Sequence, residues 1–260
     1  MSGIINCAGL SLLVLMVPSQ ADAGAWTKKK GEAQVILKLE SMRATEGFDQ
    51  AGLRVPLLAE RRDEAFGVFA EYGLTDRLTL QFKGDLQRGE DAFVDYEGRG
   101  PLEIGVSWQV WRDDRNAVSL YAGYADGGEG RNAGYAPPGE GDSDWEVRVS
   151  AGRSFGGSGR FWNPDRSFVE VQAARRMRQG LPDETRVDLT LWSHFGENWM
   201  VLGQAFGGAT DEGGARWLSI ETSVVRRFGD WSVQAGWRTA VAGRESPAAE
   251  GPVLGLWRRF

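Results

Sequence analysis

The feature that most constrains this chain is alternation. From about residue 32 onward, apolar residues and polar or small residues exchange places at nearly every step. Leu102, Ile104, Val106, Trp108 and Val110 share one parity, and Glu103, Gly105, Ser107 and Gln109 share the other. Trp145, Val147 and Val149 oppose Glu146, Arg148 and Ser150, and Val187, Leu189 and Leu191 oppose Arg186, Asp188 and Thr190. Successive side chains on a strand point to opposite faces, so a period of two describes strands with one apolar and one polar face. No stretch carries a convincing helical period.

The pattern predicts about 12 strands, near 32–44, 62–74, 77–88, 99–112, 117–126, 144–156, 166–177, 184–196, 198–208, 215–228, 231–242 and 251–260. Several run to about 10 to 13 residues, where about five or six is usual. Their connections alternate in length. "RFGDWSVQAGW" (Arg227–Trp237), "HFGENWMVLGQAF" (His194–Phe206) and, more loosely, "EYGLTDRLTLQF" (Glu71–Phe82) repeat one phrase in which Gly and Asp or Asn make a tight hairpin turn. "RDDRN" and the longer "GGSGRFWNPD" belong to the same series. The other set is longer and includes "TEGFDQAGLRVPLLAER", "GEDAFVDYEG", "DGGEGRNAGYAPPGEGDSD", "QGLPDE", "GATDEGG" and "GRESPAAE".

Aromatic residues gather at the short-turn ends: Tyr72, Trp111, Phe155, Phe161, Trp162, Phe195, Trp199, Phe228, Trp231 and Trp257. A soluble β-sandwich concentrates its rings mid-strand, facing a core. Rings at one end of long alternating strands suit a membrane–water interface. In hydrocarbon every backbone N–H and C=O must be paired, so strands can cross only as a closed sheet. The fold class is therefore all-β: a closed antiparallel transmembrane β-barrel over residues 32–260.

The long strands, hairpin rhythm, terminal Phe260 and an apolar leader resemble bacterial outer-membrane β-barrel proteins of the small porin-like class. The leader is read from the uncharged apolar core Ala8–Val17, too short to span a bilayer, followed by Ala21-Asp22-Ala23, a small-x-small cleavage pattern, which makes residues 1–23 a secretory signal peptide. Residues 24–31 then form an N-terminal segment expected on the periplasmic side. The resemblance implies residence in the outer membrane of a Gram-negative bacterium, with termini and short turns in the periplasm. It also implies contact with outer-membrane lipids and lipopolysaccharide, and Phe260 as part of the signal read by the β-barrel assembly machinery. Lys28-Lys29-Lys30 and Arg258-Arg259 would meet head groups at the periplasmic rim. "ARRMRQG", with Arg175, Arg176 and Arg178, reads as a solvated rim run that could alternatively pair with lipopolysaccharide phosphates.

Several functions are disfavoured. A net charge of −6 with scattered basic residues does not suit nucleic acid. Cys7, the only cysteine, lies in the leader, and His194 is the only histidine, so no metal cluster is expected. His194 sits beside a periplasmic turn, and Ser193 points to the opposite face, so no Ser–His nucleophile pair is expected either. The glycine-rich stretches open no helix after a strand and cradle no phosphate cofactor. No enzyme activity or cofactor is expected.

What remains is the inward face. Lys38, Glu40, Glu71, Lys83, Asp85, Glu103, Glu146, Arg148, Glu170, Arg186, Asp188, Glu221, Arg238 and Arg259 lie on that parity. They suit the lining of a narrow channel for small polar or charged solutes. The alternative is a lumen closed by salt bridges, in a non-conducting surface protein linked to adhesion or exopolysaccharide. Barrels of about eight strands fill their interior and those of about sixteen hold an aqueous channel, so about 12 strands leaves both open.

Overall fold

The structure is a computed structural model that describes residues 24–156 and 164–260. The leader with Cys7, and residues 157–163 with Phe161 and Trp162, lie outside the described residues. The strands are β1 (Ala33–Phe48), β2 (Arg54–Thr75), β3 (Leu78–Glu90), β4 (Asp95–Arg99), β5 (Leu102–Arg112), β6 (Asn116–Asp126) and β7 (Ser143–Gly156). They continue with β8 (Arg166–Gln179), β9 (Glu184–Phe195), β10 (Trp199–Thr210), β11 (Arg216–Phe228), β12 (Trp231–Arg244), β13 (Ser246–Pro247) and β14 (Glu250–Arg259).

Every neighbouring pair is antiparallel, and the ring closes because β1 pairs with both β2 and β14. Lys38 stands opposite Gly67 on one side and Gly255 on the other. Twelve long strands form the wall, and β4 and β13 are short extensions of it. β4 continues the line of β5 along β3, the two being separated at Gly100-Pro101, where proline has no N–H for the ladder. β13 pairs with the tip of β1. Gly196 and Gly229, in the repeated turn phrase, adopt φ of +61° and +62°, which explains glycine in both copies.

Each predicted strand is present, and the largest difference lies at the first hairpin. Most of "TEGFDQAGLRVPLLAER", predicted as a connection, is strand. The turn shrinks to Asp49–Leu53, where Asp49 Oδ1 accepts the Ala51 and Leu53 N–H groups at 2.9 and 2.8 Å. This part of the hairpin rises beyond the wall, and much of β2 there is exposed. With no apolar layer to face, it carries no alternation to be read.

The outward parity is apolar and exposed through the middle of the wall, as with Ile104, Val147, Leu189, Leu191, Ile220 and Leu254. Tyr72, Trp111, Phe155, Trp199, Phe228 and Trp231 are exposed at the short-turn end. A second group, Phe66, Tyr124, Trp145 and Trp237, faces outward toward the long loops, and Tyr124 meets Trp145 edge-on at 5.1 Å. Trp257 does not join the girdle. Its indole turns inward and donates from Nε1 to Gln234 Oε1 at 3.1 Å.

The last strand closes the wall. The Phe260 N–H donates to the Ala33 carbonyl at 3.0 Å. Arg258 occupies an outward position on the parity of Leu254 and Leu256, and its guanidinium lies over the Trp231 ring at 4.8 Å and the Phe260 ring at 5.2 Å. Cation–π contact makes a charge compatible with an aromatic belt. Deleting Phe260 removes both the closing hydrogen bonds and this ring, so membrane-inserted, heat-modifiable protein should fall to a small fraction of wild type. Trp231→Ala should reduce it only modestly. Wild-type levels after the deletion would contradict the role assigned to Phe260.

Candidate functional site

The inward parity surrounds a cavity of about 870 Å³. All the predicted lumen charges line it except Glu221 and Arg259. Glu221 is fully buried behind Lys38 and Arg238. Arg259 lies at the short-turn rim, where its backbone N–H donates to the Asp230 carbonyl at 3.0 Å.

One wall, from β5 to β9, carries a continuous ion-pair ladder. Arg176 reaches Glu103 at 2.6 Å, Glu146 at 2.7 Å and Asp144 at 3.3 Å. Arg178 binds Asp144 at 2.9 Å and also Glu184. Arg148 pairs with Glu146 at 2.5 Å and lies over the Tyr121 ring, whose hydroxyl donates to Glu103 at 2.8 Å. Arg186 pairs with Glu184 at 2.6 Å. Across the lumen, Arg238 bridges Glu40 at 3.0 Å and Glu221 at 2.7 Å, and Lys38 pairs with the same two carboxylates. Cations and anions balance in each group, so both networks consume their own charge.

This arrangement corrects the rim reading of "ARRMRQG". Arg175 stays at the rim, paired with Asp183 at 3.1 Å and with Asp211 at 2.5 Å. Arg176 and Arg178 point inward and are buried. The signal was available: Glu170, Gln172, Ala174, Arg176 and Arg178 hold one parity. Three arginines within four residues mask that alternation.

Lys83 and Asp188 differ from the charges of the two networks. Both line the cavity, and among the described residues neither side chain makes a hydrogen bond or ion pair. Asp85 is partly engaged: Gln87 donates to its Oδ2 at 3.0 Å, and its buried Oδ1 has no partner among the described residues.

Both ends of the cavity are covered. At the short-turn end the N-terminal segment does not lie outside the barrel, because Gly24–Lys28 enter it. Trp26 meets Phe168 edge-on at 5.7 Å, and Phe168 stacks on Trp192 at 5.5 Å, within a buried cluster that includes Ala25, Ala117, Met200, Leu202 and Val225. Gly152 makes room for the indole, since a Cβ there would lie 2.2 Å from Trp26 Cζ3. Lys28, expected at the rim, is buried and pairs with Glu71 at 3.7 Å. Gln81 donates to the same carboxylate at 3.0 Å.

At the long-loop end the connection 127–142 folds into the mouth rather than standing in solvent. Arg131 is buried and binds Asp63 at 3.0 Å and also Asp91. The Asn132 carbonyl accepts from Arg178 at 2.9 Å. The Tyr135 ring stacks on Trp217 at 5.8 Å, and its hydroxyl donates to Glu184 at 2.7 Å. Burial and the Glu184 carboxylate push the Tyr135 hydroxyl above its ordinary range, which keeps it protonated as a donor. A glycine-rich stretch with no period looks solvated in sequence, and only these long-range partners reveal its inward path.

His194 packs edge-on to Phe168 at 6.1 Å. Ser193 bonds instead to Ser167 across the strands, at 2.8 Å between hydroxyl oxygens.

A closed antiparallel ring with an apolar outer face and a charged lumen defines a transmembrane β-barrel of the outer-membrane type. The fold is similar to that of the COG4313 outer membrane channel from Pseudomonas putida F1, with a TM-score of 0.68 and 14% identity over 93% of this chain and 100% of that one. It is also similar to the KdgM porin, with a TM-score of 0.54 and 5% identity over 87% of this chain and 99% of that one. For the NanC porin the TM-score is 0.51, with 6% identity over 86% of this chain and 97% of that one. At these identities the likeness is one of fold. Neither a protein-family model nor a curated protein matches the sequence.

Proposed function

We propose that this protein is a channel for small polar or charged solutes in the outer membrane of a Gram-negative bacterium, with passage limited at the two covered ends. The observation that carries this reading is the pair Lys83 and Asp188. They are a cation and an anion whose side chains make no hydrogen bond or ion pair among the described residues, on the wall of a cavity whose volume suits a small ligand. A lumen evolved only to be closed would pair these charges as it pairs Arg148, Arg176, Arg186 and Arg238. The channel and porin names of the structural neighbours support the reading at the level of fold. Outer-membrane lipids, lipopolysaccharide and the β-barrel assembly machinery are its proposed partners, and the solute passes through without being chemically transformed.

Mobile ions should report these two charges directly. In planar bilayers, Lys83→Gln should shift the reversal potential toward cation preference, and Asp188→Asn should shift it toward anion preference. Conducting channels with unchanged selectivity in both variants would contradict the assignment. The balanced ladders favour the second reading, a closed surface protein, and stable folded barrels that never conduct would support it.

A further inference from the structure

Glu170 is the lumen carboxylate whose surroundings the channel reading does not explain. It is 2% exposed, and its Oε2 accepts the Ala25 N–H at 2.8 Å while Gln172 donates to Oε1. Among the described residues it has no ion-pair partner, unlike Glu103, Glu146, Glu184 and Glu221. A buried carboxylate without a cation is an unfavourable arrangement. The other charges facing this region are already engaged: Arg148 with Glu146, and Lys28 with Glu71.

Gly24 lies against that carboxylate. A Cβ built on Gly24 would be 3.5 Å from Glu170 Oε1, 3.5 Å from Ser150 Oγ and 2.9 Å from Gln172 Nε2. Its carbonyl accepts from Ser119 Oγ at 2.6 Å, which fixes the residue on the lumen wall. The Gly24 nitrogen, one bond from this Cα, lies on the stretch of chain held beside the two acceptors of this group, the Glu170 carboxylate and the Ser150 hydroxyl. Gly24 is also the residue that follows Ala21-Asp22-Ala23.

We propose that Glu170 is the docking site for the α-ammonium group created by cleavage between Ala23 and Gly24, so that removal of the leader locks the N-terminal segment into the short-turn end of the barrel. In the cleavage, catalysed by a signal-peptide hydrolase, water adds across the Ala23–Gly24 peptide bond. Ala23 leaves as a carboxylate, and the new Gly24 amine takes up a proton. A neutral amide nitrogen becomes a cation beside a buried anion, and Trp26 is held over Gly152 by the same stretch of chain. The short-turn seal is therefore completed by processing rather than by folding alone.

The test uses mature protein purified from membranes, with its N-terminus sequenced and its amines dimethylated with a carbon-13 label, a change that keeps their charge. The α-amine signal is then titrated by NMR in folded and urea-unfolded protein. Free α-amino groups titrate near about 7.7 to 8.0. In the folded wild type the midpoint should lie at least about one pH unit higher, because the charged form is stabilised by Glu170. It should return to the ordinary range in Glu170→Gln and in urea. Should Glu170→Gln not fold, the folded and unfolded wild-type midpoints alone decide the matter. A first residue other than Gly24, or a folded midpoint equal to the unfolded one, would overturn the proposal. The titration needs no conductance, so it stands or fails separately from the channel reading.

Discussion

Arg176→Met should lower the stability of the folded barrel by about 3–5 kcal/mol, the range seen when one member of a buried ion pair is removed. Arg176 is 4% exposed and joins Glu103, Glu146 and Asp144, so its loss leaves several carboxylates facing one another in a confined space. Its neighbour provides the control. Arg175 is paired with Asp183 and Asp211 at the exposed rim, where solvent screens the pairs, and Arg175→Met should leave stability close to that of wild type. Urea unfolding in lipid measures both. Equal effects would mean that Arg176 is hydrated and that the ladder does not hold the lumen together.

Leu189→Arg should destabilise the barrel by about 2–4 kcal/mol, the expected penalty for a cation on the lipid face near the bilayer midplane. Leu189 lies mid-strand on β9 and is 43% exposed on the apolar outer face. Its sequence neighbour Asp188 lines the cavity. The two residues therefore separate the faces of a single strand. If Leu189→Arg were harmless while Arg186→Glu was severe, the assignment of inside and outside would be reversed.

The wall was legible because alternation is forced wherever a strand separates water from hydrocarbon, and β7 and β9 display it without interruption. Turns were legible because their backbone angles restrict composition, as at Gly196 and Gly229. Sequence failed where the governing contacts are long-range. The tip of the β1–β2 hairpin stands clear of the apolar layer and loses its period. Trp257 shares the short-turn end with the girdle aromatics, yet its parity carries it to Gln234 inside. Gly24–Lys28 and the connection 127–142 enter the lumen through contacts such as Trp26 with Phe168 and Tyr135 with Trp217, which no local pattern encodes. The inward charges were identifiable by parity. Which of them are consumed by ion pairs, and which are not, emerges only from the geometry.

The most direct measurement of the central claim is single-channel current through the folded mature protein, compared with Trp26→Gly. The indole fills the buried cluster at the short-turn end of the lumen, so its removal should open that end while the strands of the wall keep their own residues. Wild type should show small discrete conductance steps and Trp26→Gly steps several-fold larger, in both cases from heat-modifiable, membrane-inserted barrels. Silence from both, with folding confirmed, would contradict a conducting lumen.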